Sequence, residues 1–599
     1  MIYHCEDHTC NYWDEGEKLP ERCPQCGRKL LRANEADMTG DDWTALGNTL
    51  WDAEASDKKR MVDCFRKAAY LGSAWGVCNL GICMEQGNGV EADPVQAFWL
   101  YQQAVEMGSL NAVCCLGVCY EYGIGTAPDA EKAAELYCKA AEYGSPRGQM
   151  LLACAFHDGI GVEADAAEAV YWVRAAAYQR YGEGMHRLGV CYEYGDGVEQ
   201  NWEHAVHWFR EAAESGVSAA MTDLGYCYEK GCGVEQSWEQ AFSWYRRGAE
   251  CGYPVSMGNL GLCYKRGYGV EQNWQEAIKW YEQGAQCGDL QSMHNLACCY
   301  EGGEGVEQNE ERALYWYRRS AEGGNGVAMC NLGWCYKRGY GVEQNWQEAV
   351  KWYEQGAQCG NLQSMHSLAY CYERGEGVKQ NMTEAIRWYT AAAEGGNADA
   401  MHNLGWHYDY GEGVEQDMKK AICWYERAAE QNHPAAMNSL GECYAMGLGV
   451  PRDLETAMEW YRRAAELGEA MADYNMGWHL EQAGKLSEAY AHYRKAADGN
   501  DDSAWWALGR FYENGVVVVQ DGKEARCCYE TGEKLGSVKC KMRLARCKLL
   551  GIGGRRAKKA GLDLCRQALE LAKESSEKED YGYEAEMNLL RRTIAENES

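Results

Sequence analysis

Met257, Leu260, Gly261 and Tyr264 fall at i, i+3, i+4 and i+7, so they share one face of an α-helix. That helix stops at Gly267-Tyr268-Gly269-Val270, where the first glycine can adopt the left-handed conformation that ends a helix. Asn273 follows as an N-cap, and Glu276 three residues later predicts a capping box. Ala277, Trp280, Tyr281 and Ala285 then line one face of a second helix, which Gly288 terminates. The segment therefore reads as an antiparallel helix pair joined by a short turn.

The same text recurs along the chain. The residue after Leu in L-G-x-C-Y falls at Gly81, Gly117, Ala153, Gly189, Gly225, Gly261, Ala297, Gly333, Ala369, Gly405, Gly441 and Gly477, always 36 residues apart. The cap position repeats in step as Asp93, Asp129, Asp165, Asn201, Ser237, Asn273, Asn309, Asn345, Asn381, Asp417 and Asp453, all good N-caps. Residues 263–301 and 335–373 are nearly identical and offset by 72, which suggests duplication of a two-repeat block. The exchanges Ile278/Val350, Asp289/Asn361 and Asn295/Ser367 between those blocks are conservative and poor candidates for binding residues. Small residues let neighbouring helices approach closely. Trp172, Trp208, Trp244, Trp280, Trp316, Trp352, Trp388, Trp424 and Trp460 recur once per repeat, and each is expected to bury ~150–250 Å². One helix pair cannot bury such a stripe, but a stack can, with stability accumulating between nearest neighbours.

The L-G-x-C-Y, G-x-G-V, Asn/Asp cap, A-x-x-W-Y and A-x-x-G elements resemble the Sel-one-like repeats, a branch of the tetratricopeptide-like solenoids. The resemblance covers residues 41–572 in about 14–15 units. It implies an all-α, right-handed α/α superhelical solenoid, and the adaptor or scaffold role general in that family. Both ends are degenerate. Trp43, Leu46 and Gly47 mark a worn first unit set 34 residues before Gly81, and residues 573–599 read as a polar C-terminal helix and tail.

Residues 1–40 break the pattern. Cys5-x4-Cys10 and Cys23-Pro24-Gln25-Cys26-Gly27 place four thiols in two clusters, the donor set of a tetrahedral structural metal site. A segment this short needs such a staple to hold a fold. It resembles the rubredoxin-like zinc ribbons, in which C-P-x-C-G forms one knuckle; C-x4-C departs from the usual C-x2-C, and His8 can take the place of Cys10. Zinc is favoured over iron, although both accept four thiolates.

Composition refines this picture. The 599 residues carry 59 Lys+Arg against 90 Asp+Glu, a formal charge of −31, which disfavours general binding to nucleic acid or an anionic membrane surface. No apolar run is long enough to span a membrane. Met1-Ile2-Tyr3-His4-Cys5 lacks the features of a signal peptide, so the cytoplasm is expected, with the 31 cysteines as thiols or metal ligands. Nine of them (Cys83, Cys119, Cys191, Cys227, Cys263, Cys299, Cys335, Cys371 and Cys443) share one register. They are expected to be small buried residues, too far apart for disulfides. Secreted cysteine-rich relatives are linked to β-lactam binding; the one-per-unit register weakens that comparison. His186, His294, His366 and His402 each follow the recurrent Met, while His204 and His207 lie at i, i+3 on a second helix, where a surface role outweighs a metal grip. No P-loop, nucleophile elbow or paired-carboxylate signature occurs.

The expected function is therefore a non-enzymatic scaffold that binds a protein or peptide through the groove of the array. An alternative is binding of nucleic acid or an acidic partner through the metal module and the basic segment 534–566, which contains Lys539, Lys541, Arg543, Arg546, Lys548, Arg555, Arg556, Lys558 and Lys559. A β-lactam hydrolase ranks third.

Overall fold

The computed structural model describes residues 2–5, 13–15, 30–33, 35–51, 55–578 and 583–598. Three short strands open the chain: β1 (Ile2–Cys5), β2 (Trp13–Glu15) and β3 (Leu30–Ala33). They form an antiparallel sheet in the order β2-β1-β3, with Ile2 opposite both Glu15 and Ala33. Among the described residues, the regular structure after them is helical. The chain divides into two compact units, 1–308 and 309–599. In the first, helix pairs run from Gly40–Thr49 with Ala55–Tyr70 to Pro254–Arg266 with Trp274–Gln286, followed by Leu290–Gly302. In the second, Glu310–Glu322 precedes the pairs from Gly326–Arg338 with Trp346–Gln358 to Val538–Leu550 with Lys558–Lys578.

The repeat glycines explain the packing within a pair. A Cβ on Gly261 would lie 2.6 Å from Cε1 of Tyr281, so the glycine is the seat of a tyrosine ring. The same pairing joins Gly81 to Tyr101, Gly225 to Tyr245 and Gly405 to Tyr425. Where alanine replaces the glycine, Ala153 stands opposite the smaller Val173, whereas Ala297 and Ala369 stand opposite the buried Tyr317 and Tyr389. Tyrosines at this position are fully buried, as is Phe209 in their place, whereas the neighbouring Trp172, Trp208, Trp280 and Trp424 are only half-buried. The expected tryptophan core is thus a tyrosine core flanked by tryptophans: adjacent residues on a helix point ~100° apart, and the second one faces the glycine.

A buried hydroxyl needs a partner. Tyr101, Tyr137, Tyr245, Tyr389 and Tyr529 donate to Glu85, Glu121, Glu229, Glu373 and Glu513 at 2.6–2.9 Å, always 16 residues upstream. Burial, with these acids close by, pushes the phenols well above their usual range. At Tyr281 the upstream residue is Lys265, which pairs with Glu304 instead, and the Tyr281 hydroxyl has no partner.

The turn works in two steps. Gly267 ends the first helix at φ +73, and Gly269 repeats the left-handed conformation at φ +68. Around Gly267 a side chain would have room, but a Cβ on Gly269 would strike the backbone of Trp238 in the preceding repeat. Gly125, Gly161, Gly197 and Gly233 meet Pro94, Ala130, Ala166 and Trp202 in the same way. The second glycine therefore sets the spacing between repeats.

All eleven cap residues accept a hydrogen bond from the backbone of the second helix. The reciprocal half of the expected box at Asn273 is replaced: its N–H donates to Tyr264 O at 2.9 Å, and Glu276 pairs with Lys279. The returning turn has already satisfied the donor a capping box would have used.

The C-terminal end differs from a polar tail. The helix Lys558–Lys578 crosses the expected boundary at 572, and Glu584–Glu598 docks beside it, burying Met587 and Leu590 against Met542 and Cys565. Among the described residues, no helix is long and apolar enough to cross a membrane.

Candidate partner-binding face

The residue after the repeat glycine leaves the core and reaches the surface of the first helix, and four residues on is its neighbour on the same face. In the second unit this row carries Trp334, Tyr370 and Trp406 on three successive first helices, with Arg338, Arg374 and Tyr410 beside them. All three aromatics are half-exposed, and Tyr410 is exposed. The Arg338 guanidinium lies 5.8 Å from the Trp334 ring, and Arg374 lies 5.7 Å from Tyr370. Lys337 Nζ sits 4.6 Å from Tyr370, and Trp406 packs on Tyr410 at 4.9 Å. Cations beside half-exposed aromatic faces combine apolar area with directional charge.

Between these rings opens a cleft of about 240 Å³ lined by Tyr370, Glu373, Arg374, His402, Asn403, Trp406 and His407. Its floor is polar but internally satisfied. His407, fully buried, bonds through Nδ1 to the Glu412 carbonyl at 3.0 Å. Burial would raise the Glu373 carboxyl, yet hydrogen bonds from His407 and Tyr389 hold it below its ordinary value. Asn403 Nδ2 donates to His366 Nε2 at 3.0 Å. His402 stacks on His433 at 5.1 Å, and His433 in turn meets Asp399 at 3.1 Å. Burial, then the charge of His433, lowers His402 to about 4, so it is neutral near pH 7. A fixed floor of hydrogen-bonded histidines and the Glu373 carboxylate beneath cation-flanked rings suits binding; these histidines are committed to structural partners rather than to a nucleophile.

In the first unit the equivalent position is aromatic at Tyr226, where Lys230 Nζ lies 5.8 Å from the ring, and aliphatic at Ile82, Val118, Val190 and Leu262. Beside it His186 bonds to Asp223 at 2.6 Å.

The other sequence-level candidates fall elsewhere. Of the expected metal ligands, Cys5 ends β1, with its side chain outside the described residues, as are Cys10, Cys23, Cys26 and the alternative His8. Among the described residues, no group of three or more His, Cys, Asp and Glu can hold a metal. The nine register cysteines are buried thiols, as expected. Burial lifts Cys83, Cys191 and Cys299 to about 11 and Cys119, Cys227 and Cys263 to about 12, which keeps them protonated and inert. His204 and His207 are exposed and pack on Tyr192 and Trp208. In the basic C-terminal segment, Arg543 pairs with Glu513 and Glu586, Arg546 pairs with Glu513, and Lys539 lies over Trp506. Lys534, Arg555, Lys558 and Lys559 remain exposed.

The aromatic row went unnoticed in the sequence although a signal for it exists. Within the near-identical blocks, Cys298 and Tyr370 occupy the same position and are not a conservative exchange. Just outside the blocks, Leu262 and Trp334 differ as well.

Comparison with known proteins places this architecture. A family profile described as Sel1 repeat matches thirteen segments from residues 76–109 to 504–537. The chain is similar to the crystal structure of c5321, described as a protective antigen present in uropathogenic Escherichia coli strains and displaying an SLR fold. Identity there is 32%, with 75% of this chain and 97% of that chain covered and a TM-score of 0.50. A Sel1 repeat protein from Oxalobacter formigenes is also 32% identical, over 41% of this chain and 96% of that one, with a TM-score of 0.37. Yeast Tom70 is 14% identical, with 88% and 96% covered and a TM-score of 0.31. A comparison with curated proteins returns no match. With thirteen matched repeats spanning most of its helical array, the chain belongs to the Sel1 repeat family.

Proposed function

We propose that this protein is a non-enzymatic scaffold that holds an extended segment of a protein partner across its first helices. The observation that carries the reading is the row Trp334, Tyr370 and Trp406, three half-exposed aromatics one repeat apart with arginine or lysine against the first two. Aromatic and arginine side chains supply most of the energy at protein interfaces. Packed helices lie ~8–10 Å apart, so rings one repeat apart match about every third residue of an extended peptide, which rises ~3.3 Å per residue. The chain's repeat family is typical of such scaffolds. Sequences selected from a displayed peptide library on the full chain should be lost when Trp334, Tyr370 and Trp406 are all changed to Ala. Recovery of the same sequences on the triple variant would reject the reading.

The N-terminal cysteines support a second module. Cys5, Cys10, Cys23 and Cys26 would hold one structural zinc, leaving no open position for catalysis. The full chain should purify with one zinc per molecule and lose it in Cys23→Ser; a metal-free wild-type chain purified under reducing conditions would reject the assignment. A reducing, cytoplasmic setting fits both the zinc thiolates and the buried thiols of the repeats.

A further inference from the structure

The row does not end at Trp406. Its next two places, one repeat and two repeats further on, are Glu442 and Trp478. Gly441 and Gly477 seat Tyr461 and Tyr493 as Gly405 seats Tyr425, so these first helices present the row in one register. The face therefore carries two poles of opposite charge with aromatic rings between them.

The basic pole lies between Trp334 and Tyr370. Lys337 Nζ sits 4.6 Å from the Tyr370 ring, and the Arg338 guanidinium sits 5.8 Å from Trp334. In other repeats the residues at these two places meet acids: Lys265 pairs with Glu304 at 2.9 Å, and Arg374 with Glu373 at 3.5 Å. Lys337 and Arg338 lie against rings instead, and among the described residues neither pairs with an acid.

Glu442, half-buried, forms the acidic pole. Its Oε1 accepts from Asn438 Nδ2 at 3.2 Å and from Asn475 Nδ2 at 3.0 Å, two neutral donors. Asn475 also donates to Asn438 Oδ1 at 3.0 Å, so the three side chains hold one another in place. Among the described residues no cation pairs with this carboxyl; Arg452, in the turn that follows, donates to the Ala445 carbonyl at 2.9 Å instead. Asp409 and Asp473, on the first helices to either side, add negative charge, with Asp409 accepting from Tyr425 at 3.3 Å and Asp473 meeting His492 at 2.7 Å. Burial pushes the Glu442 carboxyl up, the two amides draw it partly back, and Asp409 raises it further. A half-buried carboxylate without a cation is costly. The repeat does not require one at this place, since Trp406 and Trp478 occupy it in the neighbouring repeats.

We infer that this face takes an extended segment of mixed charge, with an aspartate or glutamate at Lys337 and Arg338 and a lysine or arginine at Glu442. The assignment rests on the binding face proposed above and adds the chemistry of its occupant. Lys337 reaches the Tyr370 ring, and Glu442 lies two repeats beyond Tyr370. At ~8–10 Å per repeat and ~3.3 Å per residue, the two charges of the segment stand about five or six residues apart. A uniformly acidic segment would set its charge against Glu442, and a uniformly basic one against Lys337 and Arg338, so the two poles select against both.

The test selects from a displayed peptide library on the full chain and follows one selected peptide by fluorescence anisotropy. Selected sequences should carry an acidic and a basic residue about five or six apart, in either order, around an apolar one. Changing that peptide's basic residue to Ala should weaken binding to the wild-type chain by about tenfold, the lower end of the coupling of a close charge pair. On Glu442→Gln, which keeps an acceptor for Asn438 and Asn475, the same change should weaken binding by no more than about twofold. Lys337→Gln combined with Arg338→Gln should likewise erase the effect of removing the acidic residue. Selected sequences that are uncharged or of one sign, or equal losses on wild type and Glu442→Gln, would overturn the assignment. Loss of such sequences on the triple Ala variant of Trp334, Tyr370 and Trp406 would still uphold the scaffold reading, whereas their recovery on it would reject that reading as well. The selection on the wild-type chain decides the matter even where a variant fails to fold.

Discussion

Gly267 and Gly269 sit two residues apart in one turn with almost the same backbone conformation, φ +73 and +68. Substituting each by Ala separates two costs that a glycine count would merge. Both variants force an L-residue into the left-handed region, at about 1–2 kcal/mol. At Gly267 the new methyl group would have its nearest neighbour, Val270 O, at 3.5 Å, so the strain is the whole cost. At Gly269 it would lie 2.5 Å from the carbonyl carbon of Trp238, a backbone atom in the first turn of a helix of the preceding repeat. That atom moves only if the two repeats move apart, which adds about 1–3 kcal/mol of overpacking. A repeat array opens locally rather than all at once, so hydrogen exchange followed by mass spectrometry is the suitable assay. Peptides covering 238–250 and 254–266 should lose protection in Gly269→Ala by a further factor of about 5–150 over Gly267→Ala, since ~1.4 kcal/mol is tenfold. Equal losses in the two variants would refute the claim that the second glycine sets the repeat spacing.

The tyrosine core gives a second contrast. Tyr245→Phe removes a hydroxyl that donates to Glu229 at 2.9 Å, and should cost about 1 kcal/mol in chemical denaturation. Tyr281→Phe removes a hydroxyl without a partner and should be neutral or stabilising. Stability of the second unit should also depend on pH. His402 titrates at about 4 when folded and near 6.5 when exposed, so the unfolded chain binds the proton first. Its contribution is fully present above 6.5 and is lost as the pH falls toward 4; the depressed Asp399 and Glu373 carboxyls act in the same direction. Urea titrations monitored by exchange in peptides from 398–410 should show this slope, and His402→Asn should flatten it.

Much of this architecture can be read from the residues because the turn chemistry is local. A glycine that ends a helix and an Asn or Asp that caps the next announce themselves through spacing alone, and every cap tested in this way is a cap. What escaped depends on the neighbouring helix. Trp280 and Tyr281 are both apolar and adjacent, and only the position of Gly261 across the pair decides which is buried. The missing half of the box at Asn273 has the same origin, because Tyr264 O claims the donor. The basic C-terminal segment looked like an open patch because Glu513 and Glu586, the acids that neutralise Arg543 and Arg546, lie 30–43 residues away in sequence. The aromatic row was visible at the variable x of L-G-x-C-Y, which reads Leu262, Cys298, Trp334, Tyr370 and Trp406. It becomes a surface only when first helices are stacked side by side.

The central claim is that partners bind on that row. Its most direct test is the affinity of one library-selected peptide for the full chain, measured by isothermal titration calorimetry with two single variants. Tyr370→Ala removes a ring of the row, whereas Tyr315→Ala removes an exposed ring from a second helix of the same unit. Tyr370→Ala should weaken binding by about 30-fold or more, as a hot spot of ~2 kcal/mol does, and Tyr315→Ala should leave it unchanged. Full affinity in Tyr370→Ala, or a loss confined to Tyr315→Ala, would contradict the claim.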